Sequence, residues 1–540
     1  MLNDMYKVEM PLEKIVLRKV KEKHYVYYVV RSYRNDKGQP TNDTVLIGKK
    51  DIETGMLIPN KKYFSIYDKE LFIKNEITNN TEKIIPSAVL DYGNNFILDF
   101  ILKKYDISST LEYSFKDRGI DIATLAKYMV CEGNVYYYCE DWCDKTFTGI
   151  DKVITSQKSS SICKSIDLEE KIDFFKRWVF AREKEEYLAY DVTSISSYSR
   201  GNDSVEWGYN RDEENLPQIN MGMIFGESTK IPVYYSVYPG SIPDKSYLDY
   251  MLRDMELLGI KYSKIVMDKG FFTEENLKKL EDKTLKFIVS MTNSQKIPKK
   301  IIASSKGMQY ESKYSLGAGK PYAKCITINN YGFRANVHIY FDTMKFHDES
   351  DRLYNNLERR ENVLNKMTNS PTTRNAYDKY FIFKEDNNKK FSFERNVKLI
   401  DETIVNYGYF LILTTDFELS SEEVLDIYRR KDVVEKCFDN LKNELDMKRI
   451  RSHTKESGEG KIFIAFIALI IRSILENTLG DFNRKNNYTI DKVLKELAKI
   501  RLMKFNDGSY LLNPITKKQR DILELFNLKP EDINNSIEKV

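Results

Sequence analysis

The sequence contains no Cys-x-x-Cys pair. Its six cysteines (Cys131, Cys139, Cys143, Cys163, Cys325 and Cys437) are accompanied by only four scattered histidines. Soft ligands at zinc-site spacing are therefore missing. A charge of one sign is missing too: 85 basic and 81 acidic side chains leave a net +4, so any nucleic-acid surface must arise by local clustering. The opening stretch MLNDMYKVEMPLEK lacks the apolar core of a secretory signal, and secretion is not expected. The longest apolar run, Ile462–Ile471 within KIFIAFIALIIR, is short for a bilayer crossing and reads as a buried helix. Internal repeats and low-complexity linkers are absent as well. The exclusions leave a cytoplasmic, multidomain protein without a membrane partner; at 540 residues and 41% apolar content it can bury a substantial core.

What is present changes character along the chain. Residues 1–85 carry alternating segments, HYVYYVVRSY and DTVLIGKK, joined by NDKGQP, and read as a β-rich module. Residues 86–182 turn helical, as in NNFILDFILKKY and IDIATLAKYMV. Residues 183–297 give three strands in succession (EYLAYDVTSI, INMGMIF, IPVYYSVYPG), then helix, strand, helix and strand. That pattern predicts an α/β unit with a mixed sheet flanked by helices. From 298 to 405 short strands surround an amphipathic helix bearing Leu353, Leu357, Leu364 and Met367, which reads as a β-rich insertion. The sheet resumes over 406–480 with YGYFLILTTD and a following helix, and 481–540 is expected to be a charged helical tail.

The helix after YGYFLILTTD includes DIYRRKDVVEKCFDNLK, residues 426–442. At about 100° per residue, Tyr428, Lys431, Glu435 and Lys442 fall within an arc of about 60°. This stripe borders the apolar face formed by Ile427, Val434, Phe438, Leu441 and Leu445. A carboxylate on such a border, flanked by cations, suits a metal or phosphate site; taken alone, the stripe also suits a solvated face with i,i+4 ion pairs. Two further acids matter. Asp191 interrupts the apolar strand YLAYDVTS, where a carboxylate is costly unless paired or bound to a cation. Asp268 closes the strand KIVMD, at the end where open α/β sheets present functional groups. Singly, Asp191 also reads as a satisfied core aspartate and Asp268 as an Asp-x-Gly turn. Together with Glu435 they form a set able to bind two hard divalent cations.

These blocks resemble the DDE transposases of insertion sequences, in the group marked by Tyr-x2-Arg-x3-Glu-x6-Lys. Tyr428, Glu435 and Lys442 keep that spacing, and Lys431 stands where the group has arginine. DVTS at Asp191 and MDKGFFTEENL at Asp268, Gly270 and Phe271 resemble the two aspartate blocks of the family. The intervening WGYNRDEENLPQINMGMIFGESTKIPVYYSVYPGSIPD and the later RIRSHTKESGEGKIFIAFIALI are also similar to it. The resemblance implies a ribonuclease-H-like core of the retroviral-integrase superfamily, interrupted by a β-rich insertion. It implies Asp191, Asp268 and Glu435 as catalytic ligands for two Mg²⁺ or Mn²⁺ ions. Tyr428, Lys431 and Lys442 would hold DNA, with a homodimer pairing transposon terminal inverted repeats and target DNA as further partner. Cut-and-paste cleavage and strand transfer are the implied activity; a domesticated, inactive end-binding protein and a ribonuclease-H-like nuclease are the alternatives. Tyr331 and Phe333 are the insertion's candidates for stacking a base.

Overall fold

The structure, a computed structural model, describes residues 7–20, 23–35, 38–67, 86–150, 153–181, 186–260, 264–366, 379–385 and 391–537. Met367 and the expected boundaries near 85 and 182 lie outside the described residues. The chain divides into two compact units.

The first unit comprises residues 1–105, 136–159 and 475–540. Strands Ile15–Val20, Lys23–Arg34, Pro40–Lys50 and Leu57–Pro59 form an antiparallel sheet in chain order. One face closes over Val8, Val26, Ile47, Leu57 and Tyr63. Gly48 is required there, because a Cβ would collide with the Ile58 carbonyl. The tail, expected to be wholly helical, contains strands Arg501–Phe505 and Tyr510–Leu512, and the former pairs with Pro86–Asp91. That pairing joins segments about four hundred residues apart in sequence, a distance at which local periodicity carries no signal.

The second unit comprises 106–135 and 160–474 and is built on a nine-stranded sheet. Its strands are β1 (Leu188–Ser197), β2 (Gln218–Gly226), β3 (Pro232–Pro239), β4 (Lys264–Met267), β5 (Lys286–Ser290), β6 (Tyr322–Ile328), β7 (Ala335–Phe341), β8 (Tyr409–Thr414) and β9 (Arg449–Ile450). The order across the sheet is β6-β7-β8-β5-β4-β1-β2-β3, with β9 added to β1. β4 runs parallel to β1 and β5, whereas β2, β3, β7 and β8 pair antiparallel. β1 and β2 are buried along their whole length.

One helical pairing in this unit is strongly aromatic. The helix Leu168–Phe180 starts at a capping box between Asp167 and Glu170 and turns Phe174, Phe175 and Trp178 inward. Phe174 and Phe175 meet Phe463 of the helix Lys455–Asn486, and Phe175 also meets Phe466. By length and mean hydropathy (1.9) that helix passes as a bilayer span, beyond the short run read from sequence. Yet 83% of the apolar stretch is buried inside the protein.

Of the span expected as an insertion, β6 and β7 are members of the main sheet. The part that follows β7 forms a satellite: the helix Thr343–Lys366, the hairpin Phe381–Glu385 with Phe391–Arg395, and the helix Val397–Ile404. Its own core is Leu353, Leu357, Leu364, Phe381 and Ile400, and Arg395 forks onto Glu361 at 2.6 and 2.7 Å.

β7 buries His338, whose Nδ1 lies 2.8 Å from Ser421 Oγ. Burial lowers its pKa from 6.5 to about 4, so the folded ring stays neutral where the unfolded ring is charged. The unfolded chain then binds the extra proton between those values, and stability falls as pH drops from about 6.5 towards 4, by roughly 3 kcal/mol at most. Urea midpoints across that range, compared with His338→Gln, should show the slope and its loss in the variant.

Candidate active site

The fold brings the acids together through strand register. Leu188, Ala189 and Tyr190 of β1 pair in parallel with Ile265, Val266 and Met267 of β4. Asp191 and Asp268 are the residues that follow this last pair, and Asp268 lies just past β4, where it opens a short turn, Lys269–Phe271. Asp191 is 8% exposed and takes the Val192 N–H at 2.8 Å. Burial pushes its carboxyl up, against the opposing pull of the Arg211 guanidinium; Lys431 also lowers it and the Asp268 charge raises it.

The helix read as continuous from sequence is in three pieces. Ser421–Arg430 is capped by a Ser420–Glu423 box and ends at Lys431, where Asp432–Asp439 begins; Asn440–Glu444 is then a π turn. A constant 100° step fails at both junctions, so the side chains differ from the predicted stripe. Tyr428 donates its hydroxyl to Asp268 Oδ1 at 3.0 Å, and burial above all, with the Asp268 charge, raises its phenol so that it keeps this proton. Lys431 is 3% exposed, with Nζ 5.7 Å from the centre of the Tyr428 ring. Lys442 is 8% exposed and bonds Asp212 at 2.7 Å. Both lysines are thus buried rather than presented to solvent. Glu435 is exposed on the middle helical piece.

A cleft of about 1150 Å³ collects these groups: Asp191, Asp268, Glu435 and Lys442 all line it. Among the described residues no three His, Cys, Asp or Glu side chains are gathered tightly enough for one ion. Asp191, Asp268 and Glu435 thus share the lining of one cleft without forming a single tight cluster. All three donors are hard carboxylate oxygens, the chemistry that Mg²⁺ and Mn²⁺ take.

Sequence reasoning missed the loop between β1 and β2. There Arg211 contacts Asp191 at 3.5 Å and Asp244 at 2.6 Å, and its backbone N–H is held by Ser194 Oγ at 3.0 Å. Asp212 is the partner of Lys442, and Glu214 pairs with Arg449 at 2.7 Å. The charge cluster NRDEE was the available signal. Tyr331 and Phe333, the expected stacking candidates, are 7% and 8% exposed and pack with Phe272 and Phe287. Arg429 and Arg430 of the same helix pair with Asp342 and Glu227.

The family model of the transposase DDE domain matches residues 182–471, more than half of the chain and the span of this sheet and cleft. The chain belongs to the DDE-domain transposases. No curated protein matches it. Among solved structures, the piggyBac transposase synaptic complex with hairpin DNA, seen by cryo-EM, overlaps 79% of this chain and 75% of its own. Identity there is 10% and the TM-score 0.34. Within this DDE transposase, helical pieces and strands separated by more than two hundred residues meet at one acidic cleft.

Proposed function

We propose that this DDE transposase is an insertion-sequence enzyme of the Tyr-Arg-Glu-Lys group that cleaves DNA at transposon ends and joins them to target DNA. One observation carries the reading. Asp191 and Asp268 directly follow the last paired residues of β1 and β4, and they line the same cleft as Glu435 and Lys442. The strand order β3-β2-β1-β4-β5, with β2 alone reversed against both neighbours, supports a ribonuclease-H-like core.

In this reading Asp191, Asp268 and Glu435 hold two Mg²⁺ or Mn²⁺ ions. When bound, such ions activate a water or a 3′-hydroxyl and stabilise the leaving oxygen of a phosphodiester. The chain's own residues prepare that site. Tyr428 fixes the rotamer of Asp268 by its hydroxyl. Lys431 and Arg211 place positive charge near Asp191 and so offset repulsion between the neighbouring acids. Lys442, on the cleft wall, meets end phosphates once released from Asp212, and Tyr428 and Lys431 act on DNA through the acids they position. A homodimer would pair two ends.

The test uses the full chain and duplexes carrying the element's terminal inverted repeats. Nicking at the repeat boundary and a joined target product are expected with Mg²⁺, and neither after chelation. Cutting that persists without divalent cations removes the proposal. Tyr428→Phe deletes the hydroxyl that orients Asp268. A supporting group of this kind is worth about 10- to 100-fold in metal affinity or activity. Its nicking rate should fall by that factor, with Mn²⁺ titration showing weaker binding.

A further inference from the structure

Arg211 sits between two carboxylates and serves them unequally. Its Nη2 donates to Asp244 Oδ2 at 2.6 Å, a short charge-assisted hydrogen bond. Its Nη1 lies 3.5 Å from Asp191 Oδ1, longer than a good hydrogen bond. All three side chains line the acidic cleft.

Asp244 is held as the stronger partner. It stands in the first turn of the helix Asp244–Leu257, where the helix dipole favours a carboxylate. Tyr238 donates its hydroxyl to the other oxygen, Asp244 Oδ1, at 2.9 Å. The Tyr238 ring is buried and stacks on Tyr247, with centres 3.8 Å apart, so this donor is itself fixed. The backbone of Arg211 is fixed too. Its N–H donates to Ser194 Oγ at 3.0 Å, and the neighbouring Asn210 side chain donates to Ser196 Oγ at 3.0 Å. The guanidinium is the part left to move. A cation arriving at Asp191 would break the weaker of its two carboxylate contacts and leave the stronger one in place.

We propose that Arg211 is the resident counter-ion of Asp191, displaced when a divalent cation binds, and that Asp244 sets the affinity for that cation by drawing the guanidinium away. The proposal rests on reading the cleft as the metal-dependent DNA-cleaving site. Asp244 acts through Arg211 and is a positioning residue, apart from the acids that would hold the ions.

The sign of the effect separates a displaced counter-ion from plain support of Asp191, whose removal would weaken metal binding. The full chain is titrated with Mn²⁺ in the absence of DNA, and free Mn²⁺ is read by electron paramagnetic resonance. Arg211→Ala and Arg211→Gln both remove the competing charge, and each should bind Mn²⁺ roughly tenfold more tightly than the parent. Asp244→Asn releases the guanidinium towards Asp191 and should weaken binding by roughly tenfold. In the double variant Arg211→Ala/Asp244→Asn that loss should vanish, because no guanidinium remains to shift. Weaker or unaltered Mn²⁺ binding in the Arg211 variants, or an Asp244→Asn loss that persists in the double variant, overturns the proposal. The cleft reading fails by a different result, Mn²⁺ binding that survives both Asp191→Asn and Asp268→Asn, and takes this proposal with it.

Discussion

Asp268→Asn should lower Mg²⁺-dependent nicking by about 10³-fold or more, because cation stabilisation of the transition state is worth several kcal/mol. The amide keeps the shape of the carboxylate and still accepts the Tyr428 hydroxyl, which reaches Asp268 at 3.0 Å. The fold should therefore survive, and the melting temperature is expected to match the parent's. Asp191→Asn should lose activity equally. Its melting temperature should hold or rise, because the buried Asp191 carboxyl is one whose charged form burial opposes. Arg211 retains Asp244 in that variant. Single-turnover nicking and calorimetry on each protein separate the two effects. A variant that melts early and cuts normally would mark these acids as structural supports.

Phe463→Ala should be the most damaging of the core substitutions considered. Phe463 is fully buried, and its ring centre lies 5.2 Å from Phe115, 5.2 Å from Phe174 and 6.1 Å from Phe175. Removing it leaves a cavity walled by aromatic rings, too rigid to collapse, at a cost of about 3–5 kcal/mol. Three residues earlier, Gly460 packs so closely on Cys163 that a Cβ would collide with its carbonyl, so this helix has little room to shift and refill the space. Denaturant unfolding should show the loss as a lower midpoint with an unchanged slope. Leu469→Ala, on the same helix and fully buried, provides a smaller-volume comparison.

The acids of the proposed site stand out in the sequence. An acid within an apolar strand, an acid at a strand end and a glutamate on a helical border are anomalies of solvation, and a sequence displays those directly. Two of the three follow the last paired residues of neighbouring strands, and all three line one cleft. The details around them were not legible. Arg211, Asp212 and Asp244 reach the site from a loop and a helix start that no periodicity links to β1. The predicted polar stripe assumed one unbroken helix, and the break at Lys431 with the π turn at Asn440–Glu444 rearranged it.

The sequence by itself determined most kinds of element and singled out three acids as candidates, because burial cost and helical or strand period are local properties of neighbouring residues. Tertiary structure alone decided which strands pair, how β6 and β7 extend the sheet, and why the tail meets Pro86–Asp91. It also decided that Lys431 and Lys442 are buried. Each of these depends on contacts between residues far apart in the chain, whose energies exist only once the backbone has closed around them.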